Sequence, residues 1–110
     1  MKVTVEMLQK HKACRDQVAL FKATFPDGAR VTEAACLVVA DTFNFKWAAC
    51  LLPKDARRAY YAQRKAIWAE YSVKLNTEML TSDTKNHTLR VEYKRQKAAL
   101  FGRIAENVEN

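Results

Sequence analysis

Residues 53–80, PKDARRAYYAQRKAIWAEYSVKLNTEML, contain no glycine and no proline after the first position. A run of this length without a chain breaker reads as one long helix, and the remaining residues must pack around it. Pro53 has no N–H to lose and a φ suited to the first helical position, while Leu52 before it is driven toward extended backbone, so the helix starts there. Asp55 then stands in the first turn, where the helix dipole favours a carboxylate. Arg57, Tyr61, Arg64, Trp68, Tyr71, Leu75 and Met79 follow at steps of three or four and share one side. Tyr60, Gln63, Ile67 and Lys74 flank that stripe, and alanines at 56, 59, 62, 66 and 69 raise the helix propensity.

The rest of the chain is poor in turn formers as well. Two glycines and two prolines in 110 residues are too few for the many tight turns of an all-β fold. The expected class is therefore all-α, a single domain over residues 1–110, with short helices in 1–52 and two long helices in 53–110. Thr4 can cap a first helix over residues 5–10, and residues 11–13 form a bend. A second helix runs from Cys14 or Arg15 to Thr24, with Val18, Phe21 and Phe25 at helical spacing. Phe25-Pro26-Asp27-Gly28 is a turn, because proline presets φ and glycine accepts the positive φ that other residues avoid.

Thr32 caps a third helix, expected from Glu33 to about Asp41. Its run of apolar residues leaves almost no polar face, which marks it as central to the core. Asn44 caps a fourth over 45–52, ended by Pro53. After the long helix, residues 81–88 read as a polar turn, followed by a second long stripe of Leu89, Tyr93, Gln96, Leu100, Ile104 and Val108. The two long helices are expected to form an antiparallel hairpin. The alternative is one continuous helix, since the eleven-residue spacing of Tyr60 and Tyr71 recurs, doubled, at Tyr93.

The formal charge is +7 and is uneven. Residues 1–52 hold seven Lys and Arg against five Asp and Glu, whereas residues 53–110 hold twelve against seven. Such a field attracts nucleic acid, an anionic membrane surface or an acidic protein. No apolar run is long enough to span a bilayer, and the first twelve residues lack the apolar core of a secretory signal, so a cytoplasmic protein without membrane attachment is expected. Cys14, Cys36 and Cys50 are odd in number and irregularly spaced, which suits buried free thiols in a reducing compartment. His11 and Cys14 are one turn apart and could supply half of a zinc site, but no second pair of ligands accompanies them.

The segments Cys14 to Gly28 (CRDQVALFKATFPDG), Val31 to Ala35 (VTEAA), Trp47 to Pro53 (WAACLLP) and Ala56 to Tyr60 (ARRAY) resemble a group of small bacterial and phage proteins. In that group a comparable N-terminal module precedes an alanine-rich helix with Ala-x-x-Ala-Tyr units. The resemblance covers about residues 14–71 and implies a bacterial host cell and a helical fold. It confers no site, and residues 81–110 depart from it.

No catalytic motif stands out. The only histidines, His11 and His87, lie in polar surroundings, no serine or cysteine has a recognisable nucleophile context, and two glycines leave no phosphate-cradling loop. The expected protein is therefore a non-enzyme without cofactor or metal. Its candidate partner-binding residues are Arg57, Arg58, Arg64 and Lys65, where tyrosines and Trp68 add stacking and cation–π support. The second group is Lys85, Arg90, Lys94, Arg95, Lys97 and Arg103, able to track a phosphate backbone or grip acidic side chains. Against these stands the plainer expectation that Tyr61, Trp68 and Tyr71 are core and the cations only solvate the surface. Residues 32–52 imitate a helix-turn-helix, but their second helix, FKWAACLL, lacks the polar side chains that read base edges. The leading functional expectation is a small phage or mobile-element inhibitor or adaptor, of counter-defence type, acting on a host protein or nucleoprotein complex. Sequence-independent nucleic-acid binding by the basic half and a structural, homo-oligomerising role are the two alternatives.

Overall fold

The computed structural model describes residues 1–43, 45–78 and 83–108, with side chains described for all of these except 46, 77, 78 and 83–86. The chain is all-α apart from one minimal ribbon. The elements are β1 (Lys2–Val3), α1 (Val5–Lys10), α2 (Arg15–Thr24), β2 (Ala29–Arg30), α3 (Glu33–Val38), α4 (Phe45–Ala48), one 3₁₀ turn (Ala49–Leu51), α5 (Lys54–Glu78) and α6 (Asp83–Glu106).

Local chemistry sets most of these boundaries. The Thr4 hydroxyl accepts from the Met7 N–H at 3.3 Å and the Thr32 hydroxyl from the Ala35 N–H at 3.0 Å, so both threonines cap as their sequence positions imply. Lys12, at φ 58°, makes the bend between α1 and α2. Gly28 has φ 89° and its N–H reaches the Phe25 carbonyl at 3.0 Å, closing the Phe25–Gly28 turn. That turn brings the chain back so that β2 pairs antiparallel with β1, Lys2 opposite Arg30 and Val3 opposite Ala29. Two residues per strand are too short to leave an alternating pattern, which is why the sequence reading contains no strand.

Three expectations need correction. The third helix ends at Val38, three residues early, because residues 39–43 tighten into i to i+3 bonds such as Thr42 N–H to the Val39 carbonyl at 3.0 Å. The fourth is only one turn of α-helix followed by the 3₁₀ turn, and Asn44, expected to cap it, lies outside the described residues. The polar segment 81–88 is not a turn throughout, since α6 already begins at Asp83. Residues 79–82, between the long helices, also lie outside the described residues.

The long helices run antiparallel. Tyr60 of α5 meets Phe101 of α6 with ring centroids 6.0 Å apart, and Tyr71, eleven residues on, meets Tyr93, eight residues back, at 4.5 Å. The single continuous helix is thereby excluded. The spine of the fold is α6 rather than α5. Its Ala98, Leu100, Phe101, Gly102 and Ala105 are buried, and α3 lies along it. By contrast α5 meets the short helices chiefly at the 3₁₀ turn, where Tyr60 is fully buried against Phe45 and Phe101. Beyond that point α6 is the main neighbour of α5 among the described residues, and the molecule extends to 45 Å along its long axis.

The consequence for the aromatic stripe is direct. Trp68 is 52% exposed and Tyr61 42%, so neither is core, while the neighbouring Tyr60 is. Val38, expected inside, is 84% exposed. Of the cysteines, all free, Cys36 is buried, Cys50 half-buried and Cys14 exposed.

Candidate nucleic-acid interface

The face that α5 and α6 leave open carries a groove of about 720 Å³ lined by Tyr61, Ala62, Arg64, Lys65, Trp68, Tyr93 and Lys97. Helical spacing assembles it. Tyr61, Arg64, Lys65 and Trp68 stand at steps of one to four on α5, and Tyr93 and Lys97 one turn apart on α6. Three of these side chains are cations and three are aromatic, and no carboxylate lines the groove among the described residues.

The rings hold the cations in place. The Arg64 guanidinium lies 5.1 Å from the Tyr61 ring centroid and 5.8 Å from that of Tyr60. Lys97 Nζ sits 4.4 Å above the Tyr93 ring. These are cation–π distances, and each fixes a long side chain that would otherwise lose rotamer freedom on binding an anion. Trp68, Tyr71 and Tyr93 form a three-ring cluster, with Trp68 at 5.8 Å from Tyr71 and 5.7 Å from Tyr93. Burial raises the Tyr93 phenol, an effect that the nearby Arg64 charge opposes.

A second groove of about 320 Å³ adjoins the first across Lys97 and is lined also by Gln17, Asp41, Phe43 and Lys94. Lys97 therefore belongs to both.

The candidate residues read from the sequence divide accordingly. Arg64, Lys65 and Lys97 come together in the main groove, and Lys94 lies beside it. Arg58 is exposed one turn before Tyr61 and Ala62 and extends that edge, while Arg90 is exposed one turn before Lys94. Arg95, also exposed, is two positions from both Tyr93 and Lys97 and stands on another side of α6. Arg57 turns inward, donating to the Leu52 carbonyl at 3.1 Å, and its buried Nε has no hydrogen-bond partner among the described residues. Arg103 stands 3.8 Å from Glu33 at the far end of α6. The Lys85 side chain lies outside the described residues.

Tyr93 is the groove-lining residue that sequence reasoning assigned to packing. Its stripe position is correct, yet it is only partly buried, and its proximity to Trp68 depends on the register between two helices, which no local signal carries. His11 and Cys14 are both exposed, and among the described residues no group of three or more His, Cys, Asp or Glu could hold a metal. No described helix is long and apolar enough to cross a membrane. Neither a scan against protein-family models nor searches of curated proteins and of solved structures return a match.

Proposed function

We propose that the chain is a non-enzymatic binding protein that holds nucleic acid, independently of sequence, in the groove between α5 and α6. One observation carries this reading: three cations and three aromatic rings share one exposed groove with no carboxylate among its described lining residues. Arg64, Lys65 and Lys97 supply phosphate contacts, and the half-exposed rings of Trp68 and Tyr61 offer π-surface that tolerates any base, whereas Tyr93 is stacked on Tyr71 and covered by Lys97. Lys94 and Arg90 continue the positive surface along α6, and Arg58 along α5. The expected role as an inhibitor or adaptor of a host nucleoprotein complex uses the same surface, because the nucleic acid of such a complex presents the same phosphates and bases.

An electrophoretic mobility shift tests the proposal. It expects a complex at low salt whose affinity falls steeply as salt rises, weakened by Lys65→Ala and by Lys97→Ala alike. Absence of any shift at low salt rejects it. If, in addition, one dominant complex is recovered from a nuclease-treated host lysate, the groove passes to an acidic protein partner. A mass that rises with concentration in light scattering, in place of either, favours the oligomeric role.

A further inference from the structure

Resting on the nucleic-acid reading, we infer that the groove takes single strands, with bases stacked on Trp68. Three features of the site point to this.

The first is the position of Trp68. One part of its ring meets Tyr71 and Tyr93, at 5.8 and 5.7 Å, which fixes the indole in place. About half of the residue remains open to solvent. An indole held by two tilted ring contacts and half open to solvent can serve as a stacking platform, prepared at little entropic cost on binding.

The second is spacing. Tyr61 and Trp68 are seven residues apart on one face of α5, which places them about 10 Å apart along the helix axis. At the duplex rise of about 3.4 Å per nucleotide that is roughly three repeats, and it is fewer for the more extended backbone of a single strand. Lys65 lies between them in sequence, and Lys97 reaches the same groove from α6. A strand running along α5 can place bases on both rings and keep its phosphates near both lysines.

The third concerns what the lining lacks. Among the described lining residues there is no amide or carboxylate side chain to read a base edge. In a duplex the π-faces of the bases are covered by their neighbours, so the rings of this groove gain nothing from it. An unpaired strand engages the cations and the rings together.

The test uses the intrinsic fluorescence of Trp68 in full-length protein carrying Trp47→Phe, which removes the only other tryptophan. The probes are oligothymidylate of about fifteen nucleotides, within the usual range of single-strand sites, and a duplex of the same length. The inference expects Trp68 emission to be quenched by oligothymidylate and not by the duplex. In mobility shifts, Trp68→Leu should weaken oligothymidylate binding at least about fivefold while changing duplex binding less than about twofold. That second variant decides the matter should Trp47→Phe fail to fold. Equal quenching by both probes, or binding of both without quenching, overturns the single-strand inference and leaves the nucleic-acid reading standing. Binding of neither at low salt overturns both.

Discussion

Gly102 of α6 lies directly against the backbone of Glu33 at the start of α3: a methyl group built on Gly102 would fall 2.6 Å from the Glu33 Cα and 2.7 Å from the Thr32 carbonyl oxygen. Both neighbours are backbone and neither can rotate aside. The close approach also lets Glu106, one turn further along, accept the Glu33 N–H at 2.7 Å and satisfy an otherwise unpaired donor of the α3 N-terminus.

Gly102→Ala is therefore expected to destabilise. Helix propensity alone would favour alanine by about 0.5 to 1 kcal/mol, but overpacking against fixed backbone costs about 1 to 3 kcal/mol and prevails. Urea denaturation checks the sign; an increase in the midpoint would show that α3 and α6 do not meet as described. Glu106→Ala, which removes this hydrogen bond and the carboxylate charge near Cys36, should cost about 0.5 to 1.5 kcal/mol.

Tyr60 donates its hydroxyl to the Phe45 carbonyl at 3.3 Å and is fully buried. Burial pushes its phenol up from 10.0 to about 12, partly opposed by the Arg64 charge. Burial, followed by the nearby Glu106 charge, raises the Cys36 thiol from 9.0 to about 12. Both groups stay protonated in the folded chain while the unfolded chain ionises. Stability is thus fully present well below pH 9, the value at which the unfolded Cys36 thiol is half ionised, and declines as pH rises toward 12. Denaturant titrations at rising pH should show this loss. In Tyr60→Phe and Cys36→Ala each variant should lose its share of the slope, and an unchanged slope in both would contradict the assignment.

Thiol labelling separates the cysteines by the same logic. Cys14 should react first, Cys50 next and Cys36 last, because the thiolate is the reactive form and Cys36 is both buried and held protonated. Mass spectrometry of partly labelled protein reads the order. Early labelling of Cys36 would mean that α3 opens away from α6.

The salt dependence of nucleic-acid binding counts the phosphates engaged. For a single strand each neutralised phosphate contributes about 0.7 to the slope of log affinity against log salt. Lys65→Ala and Lys97→Ala should each reduce that slope by about this amount, and Arg103→Ala, remote from the groove, should leave it unchanged. Equal reductions from all three would mean a diffuse field with no particular site.

Much of the fold is legible in the residues themselves. Thr4, Thr32 and the Phe25–Gly28 turn act locally, through caps and fixed dihedrals, and each does in the structure what its position implies, while Pro53 stands one residue before α5 and its carbonyl accepts the Arg57 N–H. What periodicity cannot supply is which of two adjacent stripes faces the partner helix. Tyr60 and Tyr61 are about 100° apart around α5, and either could have been the buried one. Gly102 reads in sequence as a weak point of a helix, whereas in space it marks a close approach of α6 to the backbone of Thr32 and Glu33. The candidate groove was half legible: Tyr61, Arg64, Lys65 and Trp68 share a helix face, but their meeting with Tyr93 and Lys97 is a tertiary fact.

Trp68→Ala puts the central claim to the most direct test, with stability by urea denaturation and affinity for oligothymidylate measured on the same preparation. A core tryptophan would cost about 3 to 5 kcal/mol. Trp68, half exposed and held by two ring contacts, should cost about 1 to 3 kcal/mol, while its loss weakens binding at least about fivefold. Severe destabilisation, or a stable variant that binds as tightly as the parent, would contradict the account.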